Sequence, residues 1–272
     1  MDARAGCDER KRQDAQHQRA SPLAGLRVIP VWTGSTLEGP AMLISRHPNL
    51  RIEKRTFGKE AATLLVIDNL VADPDRLVRR AAIRAFGSNG KYFPGTRSEA
   101  PTNYRLFLES VLNPLLPEHF GIPSGRFRFS MCHYSLVSTP PDALNFMQRI
   151  PHIDSVDKDG MACVHYLFRG NWGGTAFYRH RQTGFEYIDQ ARRETYFRQL
   201  EVESQGLDAP APGYINGDTA LFEQTAKADA VFNRILVYRR NSLHSGCIDN
   251  DNVPPADPVA GRLSVNCFFD VI

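Results

Sequence analysis

Short strand-like segments separated by Gly, Pro, Asn and Asp occupy the chain from Arg126 to its last residue. Their sequences are RFRFSMCHYSLV, MACVHYLFRG, GGTAFYRHR, DTALFEQ, NRILVYRR and RLSVNCFFDV. Many short strands with turn signals between them are typical of β-sandwiches and β-barrels. The sequence therefore predicts an all-β core over residues 126–272, interrupted by one helical insertion at 190–200.

The part of the chain before this core has a different pattern. The apolar run TLLVIDNL at 63–70 has strand character and leads into an amphipathic helix at 73–87, where Asp73 can act as the N-cap. A second helical stretch, NYRLFLESVLNPLL, spans 103–116. We therefore expect an α/β N-terminal region, with residues 40–120 as a helical scaffold for the β core.

Composition limits the kind of protein this chain can be. Its 272 residues, 42% of them hydrophobic, suffice for a large core, and a net charge of +3 with no basic stripe argues against a nucleic-acid partner. No apolar run is long enough to span a membrane, and the five cysteines form no CxxC pair. We expect a disordered tail at 1–22, a single domain at 23–272, a cytoplasmic location and reduced thiols.

One short motif carries metal-binding chemistry. His152 and Asp154 lie two residues apart in PHID, so both side chains project from the same face if this segment is extended. His244, in RRNSLHSG, lies several predicted strands further on and is the best placed third ligand. Two His and one carboxylate form the facial triad typical of non-haem Fe(II) sites. HxD alone is a weak signal, since a surface His and Asp in a turn give the same pattern.

The order of the following motifs strengthens this interpretation. After PHID come a strand with HYLF, a GGT turn entering a strand, the RRNSLHSG segment, and a last strand that opens with Arg262 in GRLSVNCFF. In this order, the chain from about Arg126 to its end resembles the prolyl-4-hydroxylase-like branch of the 2-oxoglutarate-dependent dioxygenases. The resemblance implies a double-stranded β-helix (jelly-roll) core with flanking helices, and Fe(II) bound by His152, Asp154 and His244.

The resemblance also implies a site for 2-oxoglutarate. Arg262 matches the basic residue that binds the distal carboxylate, and Tyr166 and Tyr134 resemble two family tyrosines near that group. Ser264 shares the strand parity of Arg262, so it should face the same carboxylate. The family usually has about ten residues between its second His and its basic residue, whereas this chain has 18, because a Pro- and Asp-rich loop intervenes. Arg239 and Arg240 are therefore the next candidates.

These expectations together predict an iron- and 2-oxoglutarate-dependent oxygenase with O2 as cosubstrate. It would hydroxylate an unactivated C–H bond of a small molecule, amino acid or peptide, since the carboxylate that related halogenases lack is present as Asp154. A membrane partner is not expected. Segments 92–98 and 180–212 lie outside the family motifs, and the sequence does not show whether they form a substrate lid. The aromatic, Pro, Gly and Arg residues of 92–98 suit a loop over a pocket and an ordinary surface turn equally well.

Two other classes are weighed against this one. A cupin-like metal or small-molecule binding module shares the jelly-roll and its His ligands, but it has no need of a buried cation such as Arg262. A nucleic-acid demethylase of the same superfamily should carry a second Arg six residues later, where this chain has Phe268. His165 is expected not to be a ligand, because it alternates with Tyr166 and is directed away from the barrel interior. His133 and His180 are expected to be structural or solvated.

Overall fold

The computed structural model describes residues 43–88, 90 and 92–272. These residues form a mainly β structure in which two antiparallel sheets pack face to face, in a jelly-roll-like sandwich with few helices. The predicted tail at 1–22 lies outside the described residues. Among the residues that are described, no helix has both the length and the apolar character needed to cross a bilayer.

The strands and helices are numbered in chain order. The strands are β1 (Arg51–Phe57), β2 (Ala62–Asp68), β3 (Gly87–Ser88), β4 (Gly95–Glu99), β5 (Phe127–Val137), β6 (Met161–Tyr166), β7 (Thr175–His180), β8 (Phe222–Ala228), β9 (Ile235–Arg239), β10 (His244–Gly246) and β11 (Arg262–Val271). The α-helices are α1 (Pro74–Ala82), α2 (Thr102–Leu112), α3 (Leu116–Phe120) and α4 (Gln190–Glu203). The larger sheet has the order β1-β2-β9-β6-β11-β5-β4-β3, and the smaller sheet has the order β10-β7-β8.

The β core extends further toward the N-terminus than the sequence predicts. Residues 40–120 are not a separate helical scaffold, because β1 to β4 belong to the larger sheet. The hairpin of β1 and β2 joins it through β9, where Leu64 pairs with Tyr238, and β4 joins it through β5. These pairings connect residues far apart in the chain, so they leave no local signal.

The helices lie close to their predicted positions, with different ends. Asp73 caps α1 as expected, since its side chain accepts a hydrogen bond from the Arg76 N–H at 3.0 Å, but the helix stops at Ala82. The predicted helix at 103–116 is divided after Leu112 by a 3-10 turn that contains Pro114. Proline cannot donate the backbone hydrogen bond of a continuous α-helix, which accounts for the division.

The two faces of the larger sheet bury different residues. The first three helices cover one face with an apolar cluster that includes Leu77, Tyr104, Leu108 and Leu112. Along β11, the side chains of Leu263, Val265, Cys267 and Phe269 join this cluster. The intervening Arg262 and Ser264 have the opposite parity and are directed between the sheets. The four described cysteines are buried free thiols, as predicted for small core residues.

A buried polar network links the helical layer to the sheet. The Tyr104 hydroxyl lies 2.9 Å from Nδ1 of His165, whose Nε2 lies 3.1 Å from Oδ1 of Asn233. Asn233 in turn accepts from the Val71 N–H and donates to the Val71 carbonyl. The Asn233 oxygen accepts from Nε2, so Nδ1 accepts from the tyrosine and the imidazole is neutral. His165 therefore faces away from the sandwich interior, as predicted.

Candidate metal centre

Backbone pairing brings the predicted ligands together. The N–H of His152 donates to the His244 carbonyl at 2.9 Å, and the N–H of His244 donates back to the His152 carbonyl at 3.0 Å. The Asp154 N–H donates to the carbonyl of Arg240 at 2.8 Å. The PHID segment thus lies beside β10 and places His152 and Asp154, two residues apart, on the side of His244.

The three side chains converge on one point. His152 Nε2 lies 3.7 Å from one carboxylate oxygen of Asp154, and His244 Nε2 lies 3.5 Å from the other. One ligand atom from each residue falls within 4.8 Å of the other two. Metal ligands at about 2.0–2.2 Å from an ion are themselves about 3 Å apart, so a small inward movement suffices for one cation to contact all three.

The orientation of His244 is fixed by its second ring nitrogen. Nδ1 lies 2.9 Å from the carbonyl of Ser242, which can only accept, so Nδ1 carries the proton. The unprotonated Nε2 is then directed at Asp154. The ring is held by Tyr238, whose ring centroid is 4.9 Å away in an edge arrangement. A histidine that donates one N–H to a backbone carbonyl and presents the other nitrogen is in the form that binds a metal.

Asp154 supplies the test of whether a cation fits. Its carboxylate is nearly buried, and its Oδ2 makes no hydrogen bond within the described structure. Burial raises the pKa of Asp154, while the neighbouring His244 and Arg97 oppose that change. A buried carboxylate oxygen without a donor is costly, and a divalent ion between Asp154, His152 and His244 provides the missing partner. The donor set of two imidazoles and one carboxylate suits such an ion.

A cavity adjoins these three residues and lies between the two sheets. Besides His152, Asp154 and His244, its walls include the loop before β4, the end of β5, residues just after His244 and the start of β11. The side chains that matter for its chemistry are Phe93, Arg97, Tyr214, Arg262, Asn266 and Phe268. Of the charged side chains in the described walls, Arg97 and Arg262 are cations and Asp154 is the one anion.

Arg262 is a buried cation without an acidic partner. It is 4% exposed, and its guanidinium donates to the carbonyls of Trp172, Gly173 and Gly174 at 2.8–3.1 Å. The ring of Tyr166 lies 5.6 Å from Cζ. No carboxylate of the described residues comes within ion-pair distance of this guanidinium. Burial lowers the pKa of Arg262, but a guanidinium stays protonated in proteins, so an uncompensated charge remains in the wall.

The GGT turn makes these contacts possible. Gly173 has φ of +73°, and a Cβ built on it would lie 1.6 Å from the carbonyl oxygen of Cys247. Only glycine fits this backbone conformation and this close approach. The turn can therefore direct three successive carbonyls at Arg262. The GG pair in the sequence predicts a tight turn but not these contacts.

The other predicted cosubstrate residues lie in different positions. The prediction that Tyr134 lines the cavity is wrong. Its side chain lies on the helix-covered face of the larger sheet and packs in the cluster with Tyr104. Ser264 has the expected parity, but its hydroxyl donates to Oδ1 of Asn266 at 2.8 Å. The Tyr166 hydroxyl pairs with Thr175 Oγ1 at 2.7 Å, so this tyrosine contacts Arg262 through its ring.

The alternative anchors Arg239 and Arg240 are engaged elsewhere. Arg239 donates to the carbonyl of Phe120 at 2.6 Å, and Arg240 pairs with Asp270. Neither residue lines the cavity. His180 is buried and lies 2.7 Å from a carboxylate oxygen of Glu203, which ties β7 to α4 and agrees with the structural role predicted for it.

Sequence reasoning missed several wall residues and left open whether two segments form a substrate lid. Arg97, Tyr214 and Asn266 line the cavity, yet none belongs to a recognisable motif. The clustering of aromatic, Pro, Gly and Arg residues at 92–98 was the one signal that pointed to Arg97. No residue of 180–212 lines this cavity, and α4 instead packs with Tyr196 and Leu200 against the smaller sheet.

The chain was compared with known proteins. Residues 48–269 match the model of a family described as a family of unknown function, DUF6445. The chain belongs to this family. No curated protein matches.

Solved structures give distant similarities. HygX from Streptomyces hygroscopicus with nickel and 2-oxoglutarate bound is 10% identical, with a TM-score of 0.44 over 78% of this chain and 84% of HygX. HygX with nickel, 2-oxoglutarate and hygromycin B bound is 9% identical, with the same TM-score and coverage. EvdMO1 is 11% identical, with a TM-score of 0.33 over 81% of this chain and 55% of its own. Similarity at this level decides nothing about the activity of this chain.

Proposed function

We propose that this DUF6445 member is an Fe(II)- and 2-oxoglutarate-dependent oxygenase whose metal ligands are His152, Asp154 and His244. The support is their convergence within 4.8 Å at the edge of a cavity. Three ligands on one side leave the opposite coordination positions open, which is the arrangement used by non-haem Fe(II) oxygenases. Membership of the prolyl-4-hydroxylase-like branch, with a double-stranded β-helix over 126–272, is part of the same proposal.

The observation that carries the cosubstrate assignment is Arg262. A buried guanidinium bound only by carbonyl dipoles lacks a counter-ion, and it lies in the wall of the cavity that adjoins the triad. Desolvating a charge without a partner is unfavourable, so the site is suited to an anion delivered from solution. The distal carboxylate of 2-oxoglutarate is such an anion, and it would accept charge-assisted hydrogen bonds from Arg262.

The remaining residues would prepare this site. The Ser242 carbonyl fixes the tautomer of His244. The Thr175 hydroxyl bonds to the Tyr166 hydroxyl and so fixes the ring that lies against the Arg262 guanidinium. The burial of Arg262 beside the rings of Tyr166 and Phe168 would strengthen its pairing with a carboxylate. When bound, iron and 2-oxoglutarate would supply the oxidising chemistry, in which the cosubstrate becomes succinate and carbon dioxide and one oxygen atom enters a substrate C–H bond. The presence of Asp154 favours hydroxylation.

A cupin-like binding module without 2-oxoglutarate remains the second candidate, supported by the same triad on a β-sandwich. Such a module gives no reason for Arg262 to be buried without an acid. The demethylase alternative is disfavoured by Phe268, which lines the cavity where a second arginine would be needed.

The test begins with metal and cosubstrate binding. We expect the purified chain to bind one Fe(II) without oxygen, and to lose it in His152→Ala, Asp154→Ala and His244→Ala. His47→Ala, a change at a half-buried histidine that hydrogen-bonds to the Asn49 N–H and lies outside the cavity wall, serves as the control. In air, Fe(II) and 2-oxoglutarate should yield succinate, measured by mass spectrometry with pooled metabolites and peptides. Stoichiometric iron in a triad variant, or iron binding without any affinity for 2-oxoglutarate, refutes the proposal.

A further inference from the structure

The second cation of the cavity, Arg97, has no role in the proposed metal and cosubstrate sites. It lies on β4, where its backbone pairs with Ser135 of β5. Its Cζ is 3.9 Å from the centroid of the Phe93 ring, which holds the guanidinium in place by a cation–π contact. The side chain is half-buried and lines the same cavity as His152 and Asp154.

Arg97 lacks the acidic hydrogen-bond partner that several other half-buried arginines have, although the Asp154 carboxylate lies near enough to favour its charge. Its Nε is buried without a hydrogen bond, and no carboxylate of the described residues forms an ion pair with it. By contrast, Arg179 is paired with Glu186 at 3.0 Å and Arg234 with Asp68 at 2.6 Å. A partly desolvated guanidinium that faces a cavity and forms no ion pair with the described residues favours an anionic ligand.

The charges of the cavity indicate how many negative charges it accepts. The two guanidiniums and a divalent metal ion, set against the Asp154 carboxylate, leave three positive charges. A 2-oxoglutarate dianion removes two of them. The single positive charge that remains is neutralised by one carboxylate, whereas a phosphate dianion would leave a net negative charge. Buried charge of this kind is stable only when compensated.

Arg97 and Arg262 are held at different places in the cavity wall, since the Arg262 guanidinium donates to the Gly174 carbonyl and that of Arg97 lies on the Phe93 ring. Arg262 pairs with Val137, and Val137 pairs with Gly95, so Arg97 lies two strands away and two residues further along its strand. With strands about 4.8 Å apart and a rise of about 3.3 Å per residue, the two Cα atoms are separated by roughly 12 Å. Arg97 lies on the ring of Phe93, and Tyr92, a wall residue of the same cavity, is 63% exposed. It is therefore on the solvent side of the cavity.

We propose that Arg97 binds a carboxylate of the substrate, so that the molecules oxidised by this chain are small carboxylic acids held by a carboxylate at the mouth of the cavity. This inference rests on the proposed function and adds the substrate class to it. Arg97 is then a specificity residue: it fixes one end of the substrate, and the C–H bond to be oxidised lies between that carboxylate and the triad.

The test uses simple probes with protein kept free of oxygen and saturated with Fe(II) and 2-oxoglutarate. Hexanoate and benzoate are titrated against hexanamide and benzamide, with binding followed by ligand-observed NMR. The wild-type chain should bind each acid about tenfold to a hundredfold more tightly than its amide, as expected for charge-assisted hydrogen bonds. In Arg97→Gln this preference should fall to near one, and Arg97→Lys should retain part of it because the charge remains.

A matched control separates this effect from general loss of charge. Arg169 also stacks on a phenylalanine, with Cζ 3.6 Å from the Phe232 ring, but it is exposed and paired with Asp75. Arg169→Gln should leave the preference unchanged. Circular dichroism and Fe(II) binding establish that each variant is folded, and if Arg97→Gln does not fold, Arg97→Lys provides the comparison.

Several results would overturn the inference. One is that the wild type shows no preference for the acid over the amide, and another is that Arg97→Gln leaves the preference unchanged. A third is that 2-oxoglutarate binding is weakened in Arg97→Gln but not in Arg262→Leu, which would make Arg97 the cosubstrate anchor. Failure of the proposed function looks different. In that case the wild type binds neither Fe(II) nor 2-oxoglutarate, while the preference that depends on Arg97 is still measurable on metal-free protein.

Discussion

Replacing Arg262 with leucine gives the most direct test of the cosubstrate site. Leucine fills part of the volume of the Arg262 side chain but has no hydrogen-bond donors. The proposed contact with the 2-oxoglutarate carboxylate is therefore lost, while the metal ligands are unchanged. The carbonyls of Trp172, Gly173 and Gly174 also lose a donor. That loss destabilises the free protein, whereas removal of a buried charge without an acidic partner stabilises it, so we expect the two effects to offset each other in part.

The expected loss of affinity follows from the hydrogen bonds that Arg262 already makes. Truncating one partner of a buried charge pair costs about 2–5 kcal/mol. Because Nε and Nη2 already donate to backbone carbonyls, the lower half of this range applies. A loss of about 2.7 kcal/mol corresponds to about a hundredfold weaker binding of 2-oxoglutarate.

The assay is titration of 2-oxoglutarate into Fe(II)-loaded protein by calorimetry without oxygen. Arg262→Leu should bind Fe(II) as the wild type does and 2-oxoglutarate about a hundredfold more weakly. Arg262→Lys should lie between them, because an ammonium keeps the charge but not the planar fork that serves carbonyls and carboxylate together. Unchanged 2-oxoglutarate affinity in a folded Arg262→Leu protein would refute the assignment, since Arg239 and Arg240 are paired elsewhere.

Three further predictions concern single side chains. Asp154→Asn should abolish Fe(II) binding in dialysis yet raise the melting temperature of metal-free protein, because it removes a buried carboxylate oxygen without a donor; a lower melting temperature would contradict this. Tyr134→Phe should leave 2-oxoglutarate affinity within about twofold and not reduce stability, since its hydroxyl is buried without a partner behind the sheet. Burial lowers the pKa of His165 from 6.5 to about 4, so the unfolded chain binds this proton first. The contribution of neutral His165 to the free energy of unfolding is therefore fully present above pH 6.5 and decreases by about 3 kcal/mol as the pH falls to 4. Urea unfolding at several pH values should show this decrease in the wild type and not in His165→Gln.

The sequence predicted those parts of the fold that are local. Each strand-like run after Arg126 contains or overlaps a strand, because alternating or continuous apolar residues between turn signals specify a strand within a few residues. The membership of β1 to β4 in the larger sheet was missed. The pairing of Leu64 with Tyr238 depends on the register of distant segments, and the polar sequence GTRSE of β4 has no apolar alternation.

The candidate site shows the same division. The i, i+2 spacing of His152 and Asp154 and the common parity of Arg262 and Ser264 are consequences of extended backbone, and the structure agrees with both. Tyr134 was misplaced because residues 134–137 are all buried, so hydrophobicity does not show which of them faces the cavity. Arg97 was not identified as a site residue, since its position depends on the pairing of β4 with β5.

The electrostatics of the cavity explain why ligands should stabilise this chain strongly. Asp154, Arg97 and Arg262 share one cavity, yet no ion pair joins any two of them within the described structure. The backbone prevents such pairing, because Asp154 is fixed by its N–H bond to the Arg240 carbonyl and the two arginines are separated by strand register. In the free protein the Asp154 carboxylate and the Arg97 guanidinium act on each other without a hydrogen bond, and Arg262 has no acidic partner among the described residues. The proposed metal, cosubstrate and substrate would each compensate these charges more fully. Each ligand present at a hundred times its dissociation constant adds about 2.7 kcal/mol to the free energy of unfolding.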